Sequence, residues 1–242
     1  MTNHVLLDNV AHADMRVALR YGADVGDAIN QVLVFPTEFE QVQREYPIVI
    51  RRSDDGVFYA VALLGFDRAE NLFLDGERWD ARYVPAIRQR GPFTTPASVD
   101  SNEDTGPPSA IEVDLDDPRV GAPDGQPLFL RHGGQAPYLR HLANVLGACS
   151  EGHRTMAPAF KHFADVGLMH PTAINIELGE GRSVLIEDVH VVTRESLAAL
   201  KPAVLERLSQ NGLLYLAHMA AASLGNMNHL IALKNMRGTD QA

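Results

Sequence analysis

Cysteine is nearly absent: Cys149 is the only one in 242 residues. A single thiol excludes an internal disulfide framework and suits a reducing compartment. Long apolar runs are missing as well. The greasiest stretch, Gly212 to Leu224, falls short of the ~20 residues that span a bilayer, and His218 interrupts it. No basic segment precedes the short apolar run Val5 to Leu7, so no secretory signal is expected. The chain is expected to be soluble, cytoplasmic and not membrane-spanning.

Concentrated positive charge is the next absence. Lys and Arg number 21 against 31 Asp and Glu, for a net charge of −10, and no basic stripe with interleaved aromatics occurs. Nucleic acid is therefore not an expected partner, because that affinity depends on cations neutralising phosphates. Reaction signatures are missing too. No G-x-S-x-G, P-loop, dinucleotide fingerprint, H-x-x-x-H or H-E-x-x-H is present, and no internal repeat is apparent.

What is present is a globular composition, 45% apolar and 21% charged, with length enough to bury a core without staples. Gln31 to Phe35 reads as a strand. Thr37 and Glu40 form a capping box for a helix that should stop near Tyr46, ahead of Pro47. Ile48 to Arg52 and Val57 to Leu64 are strands joined by Ser-Asp-Asp-Gly, a hairpin signal. Thr172 to Leu178 and Ser183 to Val192 form a second expected hairpin, turning at Gly179-Glu180-Gly181. Helical spacing governs Ala136 to about Phe163, and again Ala203 to Asn235 with a break at Asn211-Gly212. In that last stretch Leu213, Ala217, Ala220, Leu224, Met227 and Ile231 make a narrow apolar seam. Such a seam docks on another helix, within the core or in a homo-oligomer. Strands in hairpins and helices late in the sequence predict an α+β fold, mostly antiparallel sheet, with helices concentrated in the C-terminal half.

The densest information lies in Gly65 to Phe93, GFDRAENLFLDGERWDARYVPAIRQRGPF, which holds the only tryptophan. Glu77 to Tyr83 is expected to be extended. Trp79, Ala81 and Tyr83 would then share one face, and Arg78, Asp80 and Arg82 the other. Two guanidinium forks flanking a carboxylate suit capture of a substrate carboxylate or a peptide terminus. The alternative is an ion-paired edge holding the loop to the body, with Asp80 matched to either arginine. Trp79 and Tyr83 read as core residues that can also anchor an interface.

Several segments recur in a familiar order. HADMRV at 12–17 is followed by EFEQVQREYPIVI at 38–50, ALLGF at 62–66 and ENLFLDGERWDARYVPAIRQRGPF at 70–93. QPLFLRHGGQAPYL at 126–139 and NGLLYLAHMAAASLGNMNHL at 211–230 complete the series. In these segments and in length the protein resembles the SapC family of bacterial proteins, across nearly its whole extent. The resemblance implies one domain over 1–242, named for an association with bacterial surface layers. It also implies a cytosolic accessory protein rather than an enzyme, with no catalytic residues to carry over. Such a protein would recognise a peptide, a surface-protein segment or a companion enzyme, with Arg78, Trp79, Asp80, Arg82 and Tyr83 as the binding residues. Residues 100–124 carry eight acidic side chains and one basic one, Arg119. They are longer and more acidic than the family pattern, as a local loop insertion would be.

Other chemistry has to be weighed against plainer roles. His12 and Asp14 form an H-x-D pair, which with a third donor would hold Fe(II) in a 2-oxoacid-dependent non-haem oxygenase. Only eleven residues precede His12, fewer than the strands such a barrel places ahead of the pair, so a structural or surface role is expected. Asp100 to Gly106 approaches a calcium loop, but its glycine comes one residue late and Ile111 replaces the closing glutamate. The Asp114, Asp116, Asp117 cluster fails at Pro118. Cys149 and His153 share a helix face without any signature of a catalytic dyad. His218 and His229, eleven residues apart, would lie roughly 16 Å apart on one helix, too far to share an ion. No cofactor is predicted outside the iron alternative.

Overall fold

Residues 3–96 and 108–239 are described by the structure, a computed structural model. Its sheets are antiparallel, and its long helices follow residue 136, which makes the fold α+β as expected. The calcium-like stretch Asp100 to Gly106 lies outside the described residues. Two compact units interleave along the sequence. One comprises Met1–Asp27, Leu74–Asp80 and Ala86–Glu151, and the other Ala28–Phe73, Ala81–Pro85 and Gly152–Ala242.

In the first unit Glu112–Asp114 lies between His4–Leu6 and Phe93–Thr94, antiparallel to both. Val113 stands opposite both Val5 and Phe93, so one strand position feeds the core from the middle of the sheet. Leu139, Leu142, Ala143 and Leu146, on the helix Pro137–Asp165, recur at spacings of three, one and three. They pack with Val17, Phe93, Ile111, Val113 and Leu128.

In the second unit five strands lie in the order Met169–Glu177, Ser183–Val192, Ile48–Arg52, Phe58–Leu63, Gln31–Val34. Both expected hairpins are present. The first turns through Gly56, whose φ of 88° favours glycine. The helix Leu213–Ser223 buries Leu216, Ala217 and Ala220 and packs on Ile48–Arg52, Ser183–Val192 and Phe39–Val42. The C-terminal helical stretch breaks at 211–212 as expected, and once more through the 3₁₀ turn Leu224–Asn226. Ala217 and Ala220 of the apolar seam are buried within this unit, while Leu213, Leu224, Met227 and Ile231 are half-buried. Among the described residues no helix is long and apolar enough to cross a membrane.

Two local expectations are corrected. The helix before Pro47 starts earlier than Thr37: Phe35 caps it, Pro36 occupies the first position, and Glu38 rather than Glu40 returns to the cap. The Phe35 N–H donates to Glu38 Oε1 at 2.9 Å, and the Glu38 N–H donates to the Phe35 carbonyl at 3.0 Å. Proline suits that first position because it has no N–H to leave unpaired. Within 77–83, only Arg78–Trp79 is a strand, paired to Leu74–Asp75 around Gly76. Among the described residues no ladder continues beyond it, and the Arg82 N–H is taken instead by Glu45 Oε2 at 2.7 Å.

A hydrogen-bonded lock fastens the end of that early helix in the second unit. Asn226 Nδ2 donates to the carbonyls of Gln43 and Tyr46, at 2.7 and 3.1 Å. The Ile48 N–H donates to Ser223 Oγ at 3.0 Å, and Ser223 Oγ donates to the Ala220 carbonyl at 2.6 Å. Tyr46, fully buried, donates its hydroxyl to the Tyr83 carbonyl at 2.6 Å, and the Tyr83 hydroxyl donates to Glu38 Oε2 at 2.7 Å.

Close packing sets one test of this unit. A Cβ on Gly152 would lie 2.4 Å from both Cβ and Cγ of Phe35, whose ring also meets His153 edge-on at 4.7 Å. Gly152→Ala would gain about 1 kcal/mol of helix propensity. Overpacking of about 1–3 kcal/mol opposes that gain. The expected outcome is a lower urea midpoint than wild type; a rise would show that Phe35 yields freely.

His190 provides a second. Its ring meets Phe58 edge-on at 5.1 Å, and its Nδ1 is buried with no hydrogen-bond partner among the described residues. Burial, then the charge of Arg52, pushes its pKa below the ordinary value, against a smaller opposing contribution from the Ile50 backbone. A depressed pKa means the neutral ring is favoured in the folded state. Its contribution is therefore complete above the unfolded value of about 6.5 and is lost as pH falls through the folded value. Urea unfolding at descending pH should show this loss in wild type and a smaller one in His190→Phe. NMR titration of His190 at or above the ordinary value would sink the assignment.

Candidate anion-binding pocket

Three arginines line a cavity of about 240 Å³ in the first unit: Arg88, Arg90 and Arg119. Short-range geometry places Arg88 and Arg90, and strand pairing brings Arg119 to them. Ala86–Gln89 forms one helical turn, and the Arg90 N–H donates to the Ala86 carbonyl at 3.1 Å. Gly91 then reverses the backbone at φ 56°, a conformation that side chains resist. Phe93–Thr94 is thereby delivered to the edge of Glu112–Asp114, whose Asp114 also lines the cavity.

Two of the guanidiniums already have carboxylates. Arg88 Nε donates to Asp27 Oδ1 at 2.7 Å and its Nη2 to the Val25 carbonyl at 3.1 Å. The Asp27 side chain is 1% exposed, and its Oδ2 accepts the Gly22 N–H at 3.0 Å. Arg119, also buried, makes a two-pronged contact with Asp117 through Nε at 2.9 Å and Nη2 at 2.6 Å. Burial works against the Arg119 charge, yet the Asp117 hydrogen bonds outweigh it and the pKa is raised.

Arg90 is different. Its Nη1 donates to Thr94 Oγ1 at 3.3 Å, and no carboxylate pairs with it among the described residues. Burial lowers its pKa; Cys149 opposes that shift, and the like charge of Arg88 adds to it. The group remains an arginine and stays protonated at neutral pH. A half-buried cation beside another cation, with no anion of its own among the described residues, is costly to hold. An incoming anion relieves that cost.

The residues singled out from sequence lie as follows. Trp79 is buried and meets Tyr21 edge-on at 5.6 Å, the role of a core residue. Arg78 is 70% exposed and lies 3.4 Å from Asp75 and 3.7 Å from Asp80, so Asp80 is matched to its own neighbour. Arg82 is 89% exposed and pairs with Glu45 at 3.6 Å. Tyr83 is half-buried and belongs to the lock around Tyr46. His12 Nδ1 accepts the Asp8 N–H at 2.9 Å, and Asp14 is exposed in the same turn. No group of three or more His, Cys, Asp or Glu able to hold a metal occurs among the described residues. Asp114 Oδ1 accepts the N–H groups of Asn3 and Asp116, which makes the second acidic cluster a folded turn. Cys149 is buried.

Comparison with known families decides the relationship: residues 7–230 match the family described as SapC. The chain belongs to the SapC family. No curated protein and no solved structure matches it. The SapC match takes in the whole 65–93 block, the three pocket arginines, and the Tyr46, Ser223 and Asn226 of the lock. Arg88 and Arg90 sit at the end of that block, in Arg-Gln-Arg-Gly-Pro-Phe, beyond the Arg78 and Arg82 that the alternation at 77–83 singles out. The signal available was an R-x-R pair followed by a glycine turn. Arg119 was hidden within an acidic stretch that reads as solvated.

The Asp27–Arg88 pair tests the pocket wall. Asp27→Asn leaves Arg88 without its countercharge, and removing one partner of a buried pair costs about 3–5 kcal/mol. Urea unfolding should show a loss of that order, with a smaller loss for Asp27→Asn combined with Arg88→Gln. A single-variant loss within error of zero would mean that the pair does not hold the wall.

Proposed function

We propose that this SapC protein is a non-catalytic, cytoplasmic accessory factor that binds an acidic segment of a peptide, a surface protein or a companion enzyme. One observation carries the reading. A half-buried guanidinium, Arg90, faces a cavity without a carboxylate partner among the described residues, at the end of the block richest in family resemblance. Arg88 and Arg119 are pinned beside it by Asp27 and Asp117, so little side-chain freedom remains to be lost on binding. Arg78, Asp80 and Arg82 are exposed, and exposed charges add specificity more than affinity. Arginine at a desolvated centre is the stronger anchor.

The test uses the full-length protein, immobilised, against purified candidate surface proteins and companion enzymes. At least one should be retained, and Arg90→Gln should release it. Arg78→Ala with Arg82→Ala should weaken retention mainly at low salt, because salt screens exposed charges. Retention of no candidate by wild type, or equal retention by all variants, overturns the reading.

A further inference from the structure

We infer that the arginine pocket recognises one carboxylate group, with Arg90 as its anchor and Arg88 and Arg119 as fixed walls. This rests on the reading of the molecule as a binding protein and names the group it binds.

Charge sets the valence of the ligand. Arg88 is matched by Asp27 and Arg119 by Asp117, and Asp114 adds a further negative group to the lining. Only Arg90 is left without a counterion among the described residues. A monoanion pairs with it at the cost of one negative charge in excess of the three carboxylates already matched in number to three guanidiniums; a phosphate dianion would bring two beside Asp114 and Asp117. Shape points the same way. Arg90 uses Nη1 on Thr94, and the opposite edge of its fork makes no hydrogen bond among the described residues. That planar edge matches the two oxygens of a carboxylate. Size agrees: about 240 Å³ accommodates a carboxylate and a short side chain, not a nucleotide. Two sources supply such a group on a polypeptide: its C-terminus, or the side chain of an Asp or Glu.

The rest of the lining gives the pocket selectivity rather than strength. Asp117 is used up by Arg119, through its side chain and its N–H. Asp114 Oδ1 is occupied by two backbone N–H groups. Both aspartates are held in the lining, where they disfavour a ligand carrying two adjacent acids.

Four probes separate the outcomes on the full-length protein, followed by calorimetry and by the NMR signals of arginine Nε–H groups. They are N-acetyl-Ala-Ala as free acid, the same dipeptide as C-terminal amide, N-acetyl-Asp as its methylamide, and inorganic phosphate. At least one carboxylate probe should bind saturably and shift the Arg90 signal, while the neutral amide should not. Binding of the free acid alone identifies a C-terminus, and binding of the aspartyl probe alone an internal acid. Arg90→Gln should weaken the bound probe at least about tenfold, and Arg90→Lys, which keeps charge but loses the fork, by less. Thermal melts check folding, and if Arg90→Gln is unfolded the Arg90→Lys comparison decides.

Equal binding of acid and amide, tighter binding of phosphate, or unchanged affinity in the folded Arg90 variant overturns the inference. Failure of both carboxylate probes to bind does so too. A protein partner that is retained but not displaced by carboxylate probes sinks this inference and leaves the accessory reading standing. Carboxylate binding with no protein partner does the reverse.

Discussion

A helix that stops at a proline leaves carbonyls with nothing to accept from, and the second unit depends on how those groups are satisfied. Pro47 ends the early helix, and Asn226 supplies both amide hydrogens, to Gln43 and Tyr46. Ser223, three residues earlier, accepts the N–H of Ile48, the first residue of the following strand. An unsatisfied buried backbone group costs about 1–3 kcal/mol, so a lock of this kind outweighs any single surface contact. Its partners are separated by 175 to 183 residues. The C-terminal helices are therefore part of the sheet's foundation. Tyr46 and Tyr83 extend the same series of hydrogen bonds to the buried Glu38 and the cap at Phe35.

The first unit meets a different constraint, that of keeping cations close together away from water. Asp27 and Asp117 each hold one arginine by charge-assisted hydrogen bonds, and Arg90 stands between compensated neighbours. Among the described residues Arg90 has no carboxylate of its own, and in the proposed reading the pull on a ligand falls on that one guanidinium. Preorganisation of this kind favours affinity without a large contact area.

Much of the architecture was legible because it is written locally. Asp55-Gly56 and the Gly179-Glu180-Gly181 turn mark the two hairpins, and three-four spacing marks the long helix through Leu139, Leu142 and Leu146. The alternation at 77–83 misleads over its length, because a strand needs a partner and among the described residues Leu74–Asp75 alone provides one. Burial of Trp79 and exposure of Arg78, Asp80 and Arg82 follow the expected alternation even so. Glu40 looked like the capping acid because Thr37 looked like the cap, whereas Pro36 sets the start. The pocket was not legible. Arg88, Arg90 and Arg119 converge only once Phe93–Thr94 has paired with Glu112–Asp114, a contact no local window contains.

The two pinned arginines differ in when they can be pinned. Asp117 and Arg119 are two residues apart and meet within a single turn, whereas Asp27 and Arg88 are 61 apart. Loop-closure entropy makes the first pair cheap to form in a polypeptide that is otherwise unfolded, and the second available only once distant segments have come together. The pocket thus acquires one wall from its own loop and the other from the fold as a whole. A polypeptide newly synthesised as far as residue 119 has all three arginines but lacks the helix Pro137–Asp165 that supplies Leu139, Leu142 and Leu146 to the core beneath them. The core that carries the pocket is therefore complete only once that helix is in place.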